Sequence, residues 1–415
     1  MVNKTFQKYI QEISTLAIRC CGDEFSKRIS DFRGERERIL NNIWKKDLLP
    51  DDIPLYNKER VFRDIDFDTI VHHAQKYLDM SEYFIFLFEV SEISIKFGEL
   101  ERGERLLKFL SENHRKFHSK DLWARVDKNL GSVTFYRNDF KTANRHFNKS
   151  LQLYTELKDY RGIACIKNAL GASLVEQGKL NDGEKLFKEA RDIAEAEKFS
   201  EYLAKTNMNL GNIYQMNGDY NSAITCYMDA LKVVDLEQEK DTVAPIYNNI
   251  GLAYKCKGEY STALEYMDKA LALSKETNNQ YTKAFSYLFQ SEVYCYEGDF
   301  SKSAALVTSA FSIFSEIGDR LSMAEAYKIF GMINRDSNRP EIAVSYFENC
   351  IRINERYKSD TNIAEAEIEL AKLYKGTGEK GKAKKALMRA MKKYEKIGAG
   401  RKVKTINKAI DELSD

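Results

Sequence analysis

Residues 245–271 read PIYNNIGLAYKCKGEYSTALEYMDKAL, and this stretch contains one full copy of a repeated pattern. An apolar residue and a glycine, Ile250-Gly251, are followed seven residues later by Gly258 and after another five by Ala263. The pattern occurs in eight copies at a spacing of 40 residues, with no insertion or deletion between Phe84 and Ala390. A fixed period of this length is typical of a solenoid, in which each unit buries its apolar face against its neighbours. We therefore expect an all-α solenoid of about eight helix-turn-helix repeats.

Three positions hold small or turn-forming residues in every copy. The first is the second member of a pair whose first member is apolar in all copies but one: Val90-Ser91, Leu130-Gly131, Leu170-Gly171, Leu210-Gly211, Ile250-Gly251, Gln290-Ser291, Phe330-Gly331 and Leu370-Ala371. Seven residues later stand glycine or asparagine, which tolerate a left-handed backbone and so end a helix: Gly98, Asn138, Gly178, Gly218, Gly258, Gly298, Asn338 and Gly378. A third set is again small: Gly103, Ala143, Gly183, Ala223, Ala263, Ser303, Ala343 and Ala383. Small residues at the first and third positions would let the two helices of a repeat approach closely.

The fourth copy illustrates the two helices expected in each repeat. Apolar residues at helical spacing predict a first helix over 204–217, closed by Gly218-Asp219. A second helix is expected from Tyr220 to Leu236. An acid after the helix-ending residue recurs in most copies, where it would complement the dipole of the second helix.

This pattern resembles the tetratricopeptide repeat, whose signature is a Leu-Gly pair, a Tyr three residues on, Gly-Asp-Tyr, and then Ala, an aromatic residue and Ala. The fifth copy matches with Ile250-Gly251, Tyr254, Gly258-Glu259-Tyr260, Ala263 and Ala270, while Met267 takes the aromatic place. The 40-residue period is similar to the extended variant of that family. The resemblance covers about residues 84 to 392 and implies a right-handed α-solenoid. Copy seven departs most, with Asn334 and Pro340 in place of aromatic residues, and copy eight has Lys380 there.

Three regions are predicted along the chain. Residues 1–80 form an N-terminal helical region with helices over 4–20 and 24–46, a link at Pro50 and Pro54, and a half-repeat helix from Phe67 to Leu78. Residues 81–397 form the solenoid. Residues 398–415 form a basic capping helix that begins at Val403 and shields the last repeat from solvent.

Composition excludes several classes of protein. No run approaches the roughly 18 apolar residues of a membrane span, and the N-terminus lacks the core of a secretion signal, so we expect a cytoplasmic protein. Seven cysteines without CxxC spacing argue against a disulfide framework and a zinc site. His114 and His118 could share a helical face, but no third ligand is evident, and we predict neither metal nor cofactor. None of the common catalytic or phosphate-binding motifs is present, which favours a protein that is not an enzyme.

Charge is balanced overall but uneven. The formal net charge is +2, yet residues 372–408 contain 14 Lys or Arg against two acids. Such a segment is typical of a solvated capping helix; an acidic partner is the main alternative. Only Tyr374 and Tyr394 supply aromatic rings there, so nucleic-acid binding is not favoured.

The resemblance also places residues on a ligand-binding groove, because the first helices of such repeats line the concave surface. The positions that match groove positions in copies two to five include Arg125, Lys128, Tyr136, Asn168, Lys205, Asn212, Gln215, Asn248 and Lys255. Asn212 matches the family position whose amide holds the backbone of an extended peptide, and Lys128 matches one that can contact a ligand carboxylate. An amide both donates to and accepts from a peptide bond, and an ammonium pairs with a carboxylate. The full carboxylate-clamp pattern is absent, since Ser132, Ala172 and Leu252 replace its other polar residues.

Two functions are consistent with these features. The first is a non-enzymatic scaffold or adaptor whose groove binds a peptide or helix of a partner protein, with an acidic ligand suited to the cations of the groove. The alternative is a ligand- or peptide-gated regulator in which residues 1–80 act as an effector region. A solvated surface with no ligand is the plainest interpretation of the same groove residues.

Overall fold

The computed structural model describes residues 4–22, 67, 70–72 and 74–413. Eighteen α-helices have described bounds, together with one short 3-10 helix, His114–Lys116. Residues 67, 70–72 and 74–77 are also helical, and none of the described residues forms a strand. The first helix is α1, Lys4–Cys21. The helices of the eight repeats follow as α2 Met80–Lys96 and α3 Leu100–Glu112, α4 Lys120–Tyr136 and α5 Phe140–Leu157, α6 Tyr160–Glu176 and α7 Leu180–Ala196, α8 Ser200–Asn217 and α9 Tyr220–Leu231, α10 Lys240–Lys257 and α11 Tyr260–Glu276, α12 Gln280–Tyr296 and α13 Phe300–Ile317, α14 Arg320–Asp336 and α15 Pro340–Tyr357, and α16 Asp360–Gly376 and α17 Lys380–Ile397. The last helix is α18, Gly400–Asp411. The predicted all-α solenoid of helical hairpins is thereby confirmed.

The chain divides into two compact units, residues 1–166 and 167–415. In unit 1, α1 packs against the first helix of repeat 1. The hydroxyl groups of Tyr9 and Ser94 lie 3.0 Å apart, and Arg19 Nη2 lies 2.6 Å from Glu89 Oε2. An apolar core that includes Tyr9, Ile13 and Phe86 fills the contact. The N-terminal helix therefore extends the helical stack of unit 1.

Unit 2 contains most of the repeats, and small residues set the spacing within each hairpin. Ala223, Ala263 and Ala343 have no exposed surface. A Cβ added at Gly211 would lie 2.4 Å from the ring of Tyr227, which is itself fully buried. The close helix crossings inferred from the repeat pattern are thus present.

Turns within and between hairpins use left-handed residues at fixed places. All eight residues of the glycine-or-asparagine position have positive φ, from 59° at Asn338 to 83° at Gly218. A second left-handed position follows the second helices, at Lys158, Lys198, Asn278, Gly318, Lys358 and Gly398. Aspartates that follow the first turn also act as helix caps, since Asp139 Oδ1 accepts from Thr142 N at 3.1 Å and Asp299 Oδ1 from Lys302 N at 3.0 Å.

Several helix boundaries differ from those expected. The first helix of repeat 4 begins at Ser200, four residues before residue 204. The second helix of repeat 4 ends at Leu231 and not at Leu236, because Asp235 Oδ1 accepts from the backbone N–H groups of Glu237 and Gln238, each at 3.0 Å, and closes a turn. The last helix begins at Gly400, three residues before Val403.

The predicted helix over 24–46 and the link at Pro50 and Pro54 lie outside the described residues. Those residues of the predicted helix Phe67 to Leu78 that are described are helical up to Tyr77. The division into regions 1–80, 81–397 and 398–415 stays a prediction.

Candidate functional site

The first helices of neighbouring repeats from α8 to α16 contact one another directly. In α6, Asn168 extends this row to repeat 3 through a hydrogen bond with Asn209 of α8. We call the surface formed by α6, α8, α10, α12, α14 and α16 within unit 2 the first-helix wall. Polar side chains on it bond from one repeat to the next.

Amides make the repeat-to-repeat contacts at one end of the wall. Asn209 Nδ2 donates to Asn168 Oδ1 at 2.9 Å, and Asn249 Nδ2 lies 3.4 Å from Asn212 Oδ1. Asn212 Oδ1 also accepts from Tyr227 Oη at 2.7 Å. Asn212 is exposed, and its Nδ2 makes no hydrogen bond among the described residues. This amide can therefore still donate to a ligand.

Asn248 is placed differently from the other predicted amides. It is only 3% exposed. Its Oδ1 accepts from Ser286 Oγ at 3.1 Å, and its Nδ2 lies 3.4 Å from the carbonyl oxygen of Thr282. Both polar ends of this side chain thus join repeats 5 and 6, and we leave Asn248 out of the contact set proposed below.

Lys205 and Gln215 of α8 lie on the same helix as Asn212. Lys205 Nζ is 2.7 Å from Glu201 Oε1 in an exposed pair, and Gln215 Oε1 is 3.5 Å from Tyr227 Oη. An exposed ion pair of this kind is worth little, so the Lys205 ammonium remains able to exchange Glu201 for a ligand carboxylate.

The other three predicted residues belong to unit 1. Arg125 stacks 4.4 Å over the centre of the Phe88 ring, and its Nη2 lies 3.4 Å from Glu92 Oε2. Lys128 is partly buried, and Tyr136 is 69% exposed. Arg125 is therefore engaged with repeat 1, whereas the Tyr136 ring is open to solvent.

Toward the C-terminal end of the first-helix wall, ion pairs replace amide hydrogen bonds as the contacts between repeats. Lys255 Nζ lies 2.9 Å from Glu292 Oε2, and both side chains are about 90% buried, with 9% and 10% exposed. Lys328 Nζ lies 2.7 Å from Glu325 and 2.6 Å from Glu365. The Lys255–Glu292 pair links repeats 5 and 6, and the Lys328–Glu365 pair links repeats 7 and 8. Buried ion pairs add little net stability. An arrangement of the helices that separated the two charges would leave each of them buried and unpaired, which is unfavourable.

The pKa values in this cluster follow from burial and pairing. Burial would lower the pKa of Lys255 and Lys328, but the facing carboxylates outweigh it and raise both. Burial raises the pKa of Glu325. For Glu365, burial favours the neutral form, yet the Lys328 ammonium outweighs it and lowers the pKa. Lys328 is therefore a permanent cation, which Glu365 neutralises.

A cavity of about 430 Å³ lies beside this ionic part of the wall. The first helices contribute Lys255, Glu292, Tyr296, Lys328, Glu365 and Glu369 to it, and the start of α9 contributes Tyr220. The last two helices close it with Tyr394 and Lys402. This volume falls in the range of small-ligand pockets.

The helix α18 reaches this cavity because it packs back onto repeat 4. Arg401 N–H donates to Asn217 Oδ1 at 3.2 Å, and Arg401 Nη1 lies 2.9 Å from Asp219 Oδ2. Lys402 Nζ donates to Tyr220 Oη at 2.8 Å. The end of unit 2 thus meets its own fourth repeat across more than 180 residues of sequence.

Of the residues that line this cavity, the sequence analysis placed Lys255 on the groove. The signal for most of the others was available. Lys328 stands at the repeat position of Lys128, Glu325 at that of Arg125, and Glu292 at that of Asn212. Applying the register of copies two to five to copies six to eight would have identified them.

Comparison with known proteins supports the helical-repeat fold. A family model described as tetratricopeptide repeat matches residues 162–235 and 201–276. The matched segment lies within repeats 3 to 5. Together with the eight copies in register and the helical hairpins of the structure, it supports a repeat protein of the tetratricopeptide type. No curated protein matches the chain.

Solved structures share the fold at low sequence identity. A Rap protein complexed with Competence and Sporulation Factor is 15% identical with a TM-score of 0.63, and the match covers 94% of this chain and 99% of that one. The apo form of the quorum sensor NprR from B. thuringiensis is 14% identical with a TM-score of 0.58, covering 93% and 99%. A Rap conjugation gene regulator of a plasmid, in complex with the Phr* peptide, is 15% identical with a TM-score of 0.59, covering 77% and 93%. At these sequence identities the comparison shows a shared fold and nothing further.

Within the described ranges, none of the helices has the length and apolar character needed to cross a membrane. The same ranges contain no group of three or more His, Cys, Asp or Glu side chains arranged to hold a metal ion.

Proposed function

We propose that the protein is a non-enzymatic interaction scaffold and that the first-helix wall of unit 2 binds an extended segment of a partner protein. The contact set on this wall is Asn168, Lys205, Asn212, Gln215 and Lys255. Arg125, Lys128 and Tyr136 are proposed as a second set in unit 1.

The observation that supports this most is the unused amide of Asn212. Its Oδ1 is held by Tyr227, which fixes the orientation of the side chain, while its Nδ2 is exposed and free to donate. A fixed amide donor about two helical turns from the Lys205 ammonium on the same helix suits a peptide carbonyl and an acidic group further along the same ligand. Because the donor is oriented before binding, little conformational freedom is lost when a ligand arrives.

The test uses partners captured by the full chain and identified by mass spectrometry. Asn212→Asp keeps an acceptor for Tyr227 and removes the amide donor, so it should weaken a peptide contact by about 1–3 kcal/mol without unfolding the repeat. Asn221→Ala is the matched control, since Asn221 is exposed on the second helix of repeat 4. The proposal would be contradicted if captured partners bind the Asn212→Asp and Asn221→Ala variants as tightly as the wild type.

Lys205→Glu provides an independent check at the same wall. Reversal of this charge should weaken acidic ligands more than neutral ones and make the binding less sensitive to salt. Calorimetric titration of one captured partner at two salt concentrations measures both effects. Equal loss for acidic and neutral ligands would mean that Lys205 does not contact ligand charge.

A peptide-gated regulator is the second candidate. The likeness to the complexed Rap protein covers 94% of this chain. The N-terminal helix α1 packs on repeat 1. In such a regulator a peptide bound to the wall would change the accessibility of α1. Hydrogen exchange in 4–21, measured with and without a captured peptide, distinguishes the two: a scaffold shows no change there.

A further inference from the structure

One cation in the cavity differs from the others. The lining includes four lysines, and three of them contact carboxylates: Lys255 with Glu292, Lys257 with Glu259, and Lys328 with Glu325 and Glu365. The fourth, Lys402, contacts the Tyr220 hydroxyl and the faces of the Tyr220 and Tyr394 rings, with its Nζ 5.3 and 5.9 Å from their centres. Within the described residues, no carboxylate lies within 4 Å of Lys402 Nζ.

Hydrogen-bond donors accompany this cation. Tyr220 Oη accepts from Lys402, so its own proton is available to another acceptor. Tyr394, which is 1% exposed, lines the same cavity, and its hydroxyl has no hydrogen-bond partner among the described residues. Buried polar groups are normally satisfied, so an unpartnered hydroxyl beside a cavity indicates a missing acceptor. Glu365 lines the same cavity and interacts electrostatically with Lys402, but it pairs directly with Lys328, so the ammonium and the two phenols have no directly bonded anionic acceptor among the described residues.

We propose that this cavity binds a carboxylate, held by Lys402 with Tyr220 and Tyr394, and that α18 thereby forms one side of a ligand site. The carboxylate belongs to a small organic acid or to the C-terminus of a short peptide. In its peptide form this inference rests on the proposed function, because the site adjoins the ionic end of the first-helix wall. The other cavity lysines already have carboxylate partners, so the ligand charge is matched by Lys402.

The position of Lys402 couples this site to the fold of unit 2. Arg401, its neighbour, joins α18 to repeat 4 through Asn217 and Asp219. A carboxylate that bridges Lys402 and Tyr220 would add a further link between the same two elements. Ligand binding should therefore slow hydrogen exchange in the first turn of α18.

The experiment uses the full chain and two kinds of probe. Glutarate tests for a free acid, with glutaramide as its neutral counterpart. A pool of random tripeptides with a free C-terminal carboxyl tests for a peptide, with the same pool amidated as its counterpart. Calorimetry measures the first pair, and ultrafiltration with mass spectrometry measures the second. We expect the acid form of at least one probe to be favoured over its neutral form by fivefold or more.

Variants separate the site from general charge. Lys402→Met should reduce the affinity for the favoured acid at least tenfold, and Tyr394→Phe severalfold. Lys402→Arg should retain most of the binding. Lys404→Met is the control, because Lys404 is exposed on the same helix, and it should leave the affinity within about twofold. Tyr394→Phe removes only a hydroxyl without a partner, so it should fold even where Lys402→Met does not.

The outcomes distinguish this inference from the proposed function. Glutarate binding that depends on Lys402, without any retained peptide, supports the inference and assigns the small acid. Three results would overturn it. They are equal retention of the acid and amide forms, an affinity that Lys402→Met leaves unchanged, and the failure of both probes to bind. A partner whose capture depends on Asn212 and not on Lys402 would leave the proposed function standing alone.

Discussion

Close packing in each hairpin depends on single residues, and Gly211 shows this most directly. The backbone of α8 approaches the Tyr227 ring so closely that there is no room for a methyl group. Gly131, Gly171 and Gly331 face Phe147, Phe187 and Phe347 in the same manner. The small residue of each pair is therefore matched to an aromatic or other large residue on the second helix.

We predict that Gly211→Ala destabilises the protein by about 1–3 kcal/mol, because the buried Tyr227 ring cannot move aside without a shift of the helices. Gly376→Ala is the control, since Gly376 is also helical and no atom lies within 4 Å of its added Cβ. That change should be neutral or slightly stabilising. Thermal melting of both variants makes the comparison, and equal melting temperatures would contradict this assignment of the crossing.

Site residues could be predicted from sequence as far as their positions, but not as far as their partners. The repeat register placed both Asn212 and Asn248 on the groove, one residue after and three residues before the small residue of their pairs. Their environments differ because Ser286, one repeat further on, accommodates the Asn248 amide, whereas the position that faces Asn212 holds Asn249. A pattern within one repeat does not contain the side chains that the next repeat supplies.

At the scale of the helices, the turn between repeats places residues other than glycine in a strained backbone conformation in several copies. Lys158, Lys198 and Lys358 adopt positive φ at the position where Gly318 and Gly398 stand in other copies. A left-handed conformation disfavours residues with a Cβ, so these turns hold strain that glycine would release.

We predict that Lys158→Gly and Lys358→Gly each stabilise the protein by about 0.5–1 kcal/mol, the left-handed penalty less the greater freedom of glycine in the unfolded chain. Lys149→Gly, in the interior of α5, should instead destabilise by about 1 kcal/mol. Denaturant unfolding of the three variants gives the signs. A loss of stability in all three would show that the lysine side chains contribute contacts at the turns.

Helix boundaries could be predicted where the residue that ends the helix recurs at a fixed place in each repeat. Glycine or asparagine at the first turn gave the end of every first helix correctly. The early end of α9 was not predicted, because Asp235 also fits an exposed helical position and its capping role depends on the turn that follows.

At the scale of unit 2, charge pairs join the last repeats and should respond to pH. Glu369 bonds Lys372 at 2.6 Å and also pairs with Arg335. Burial alone would raise the pKa of Glu369, but these two cations outweigh it and lower the pKa below the ordinary 4.5. A carboxyl with a lowered pKa contributes stability above its unfolded value, and that contribution is lost as pH falls through the folded value.

We predict that Glu369→Gln lowers stability at pH 7 by about 1.5–3 kcal/mol, the usual worth of hydrogen bonds to a charged group. The loss should be smaller at pH 3, which lies below the ordinary carboxyl pKa of 4.5, because the unfolded chain then binds a proton that the paired carboxylate of the folded protein resists. Glu395→Gln, at an exposed position of α17, should change neither value. Chemical denaturation at the two pH values tests this. A difference between wild type and Glu369→Gln that is the same at both would contradict the ionic assignment.

The return of α18 to repeat 4 could not have been read from the sequence. A constant period shows that successive copies pack alike, but it does not show after how many copies the stack meets itself. That number depends on small rotations between repeats, which accumulate over the distance from Asp219 to Arg401.

The meeting of α18 with repeat 4 constrains how this gene can change. Open repeat arrays can grow or shrink by duplication, since each copy contacts only its neighbours. Here a duplicated copy between repeats 5 and 7 would carry Arg401 beyond Asp219 and Lys402 beyond Tyr220. Copy number in this half of the protein is thus as much a part of the fold as any single side chain, and lineages that gained or lost a copy would have had to rebuild their C-terminal end.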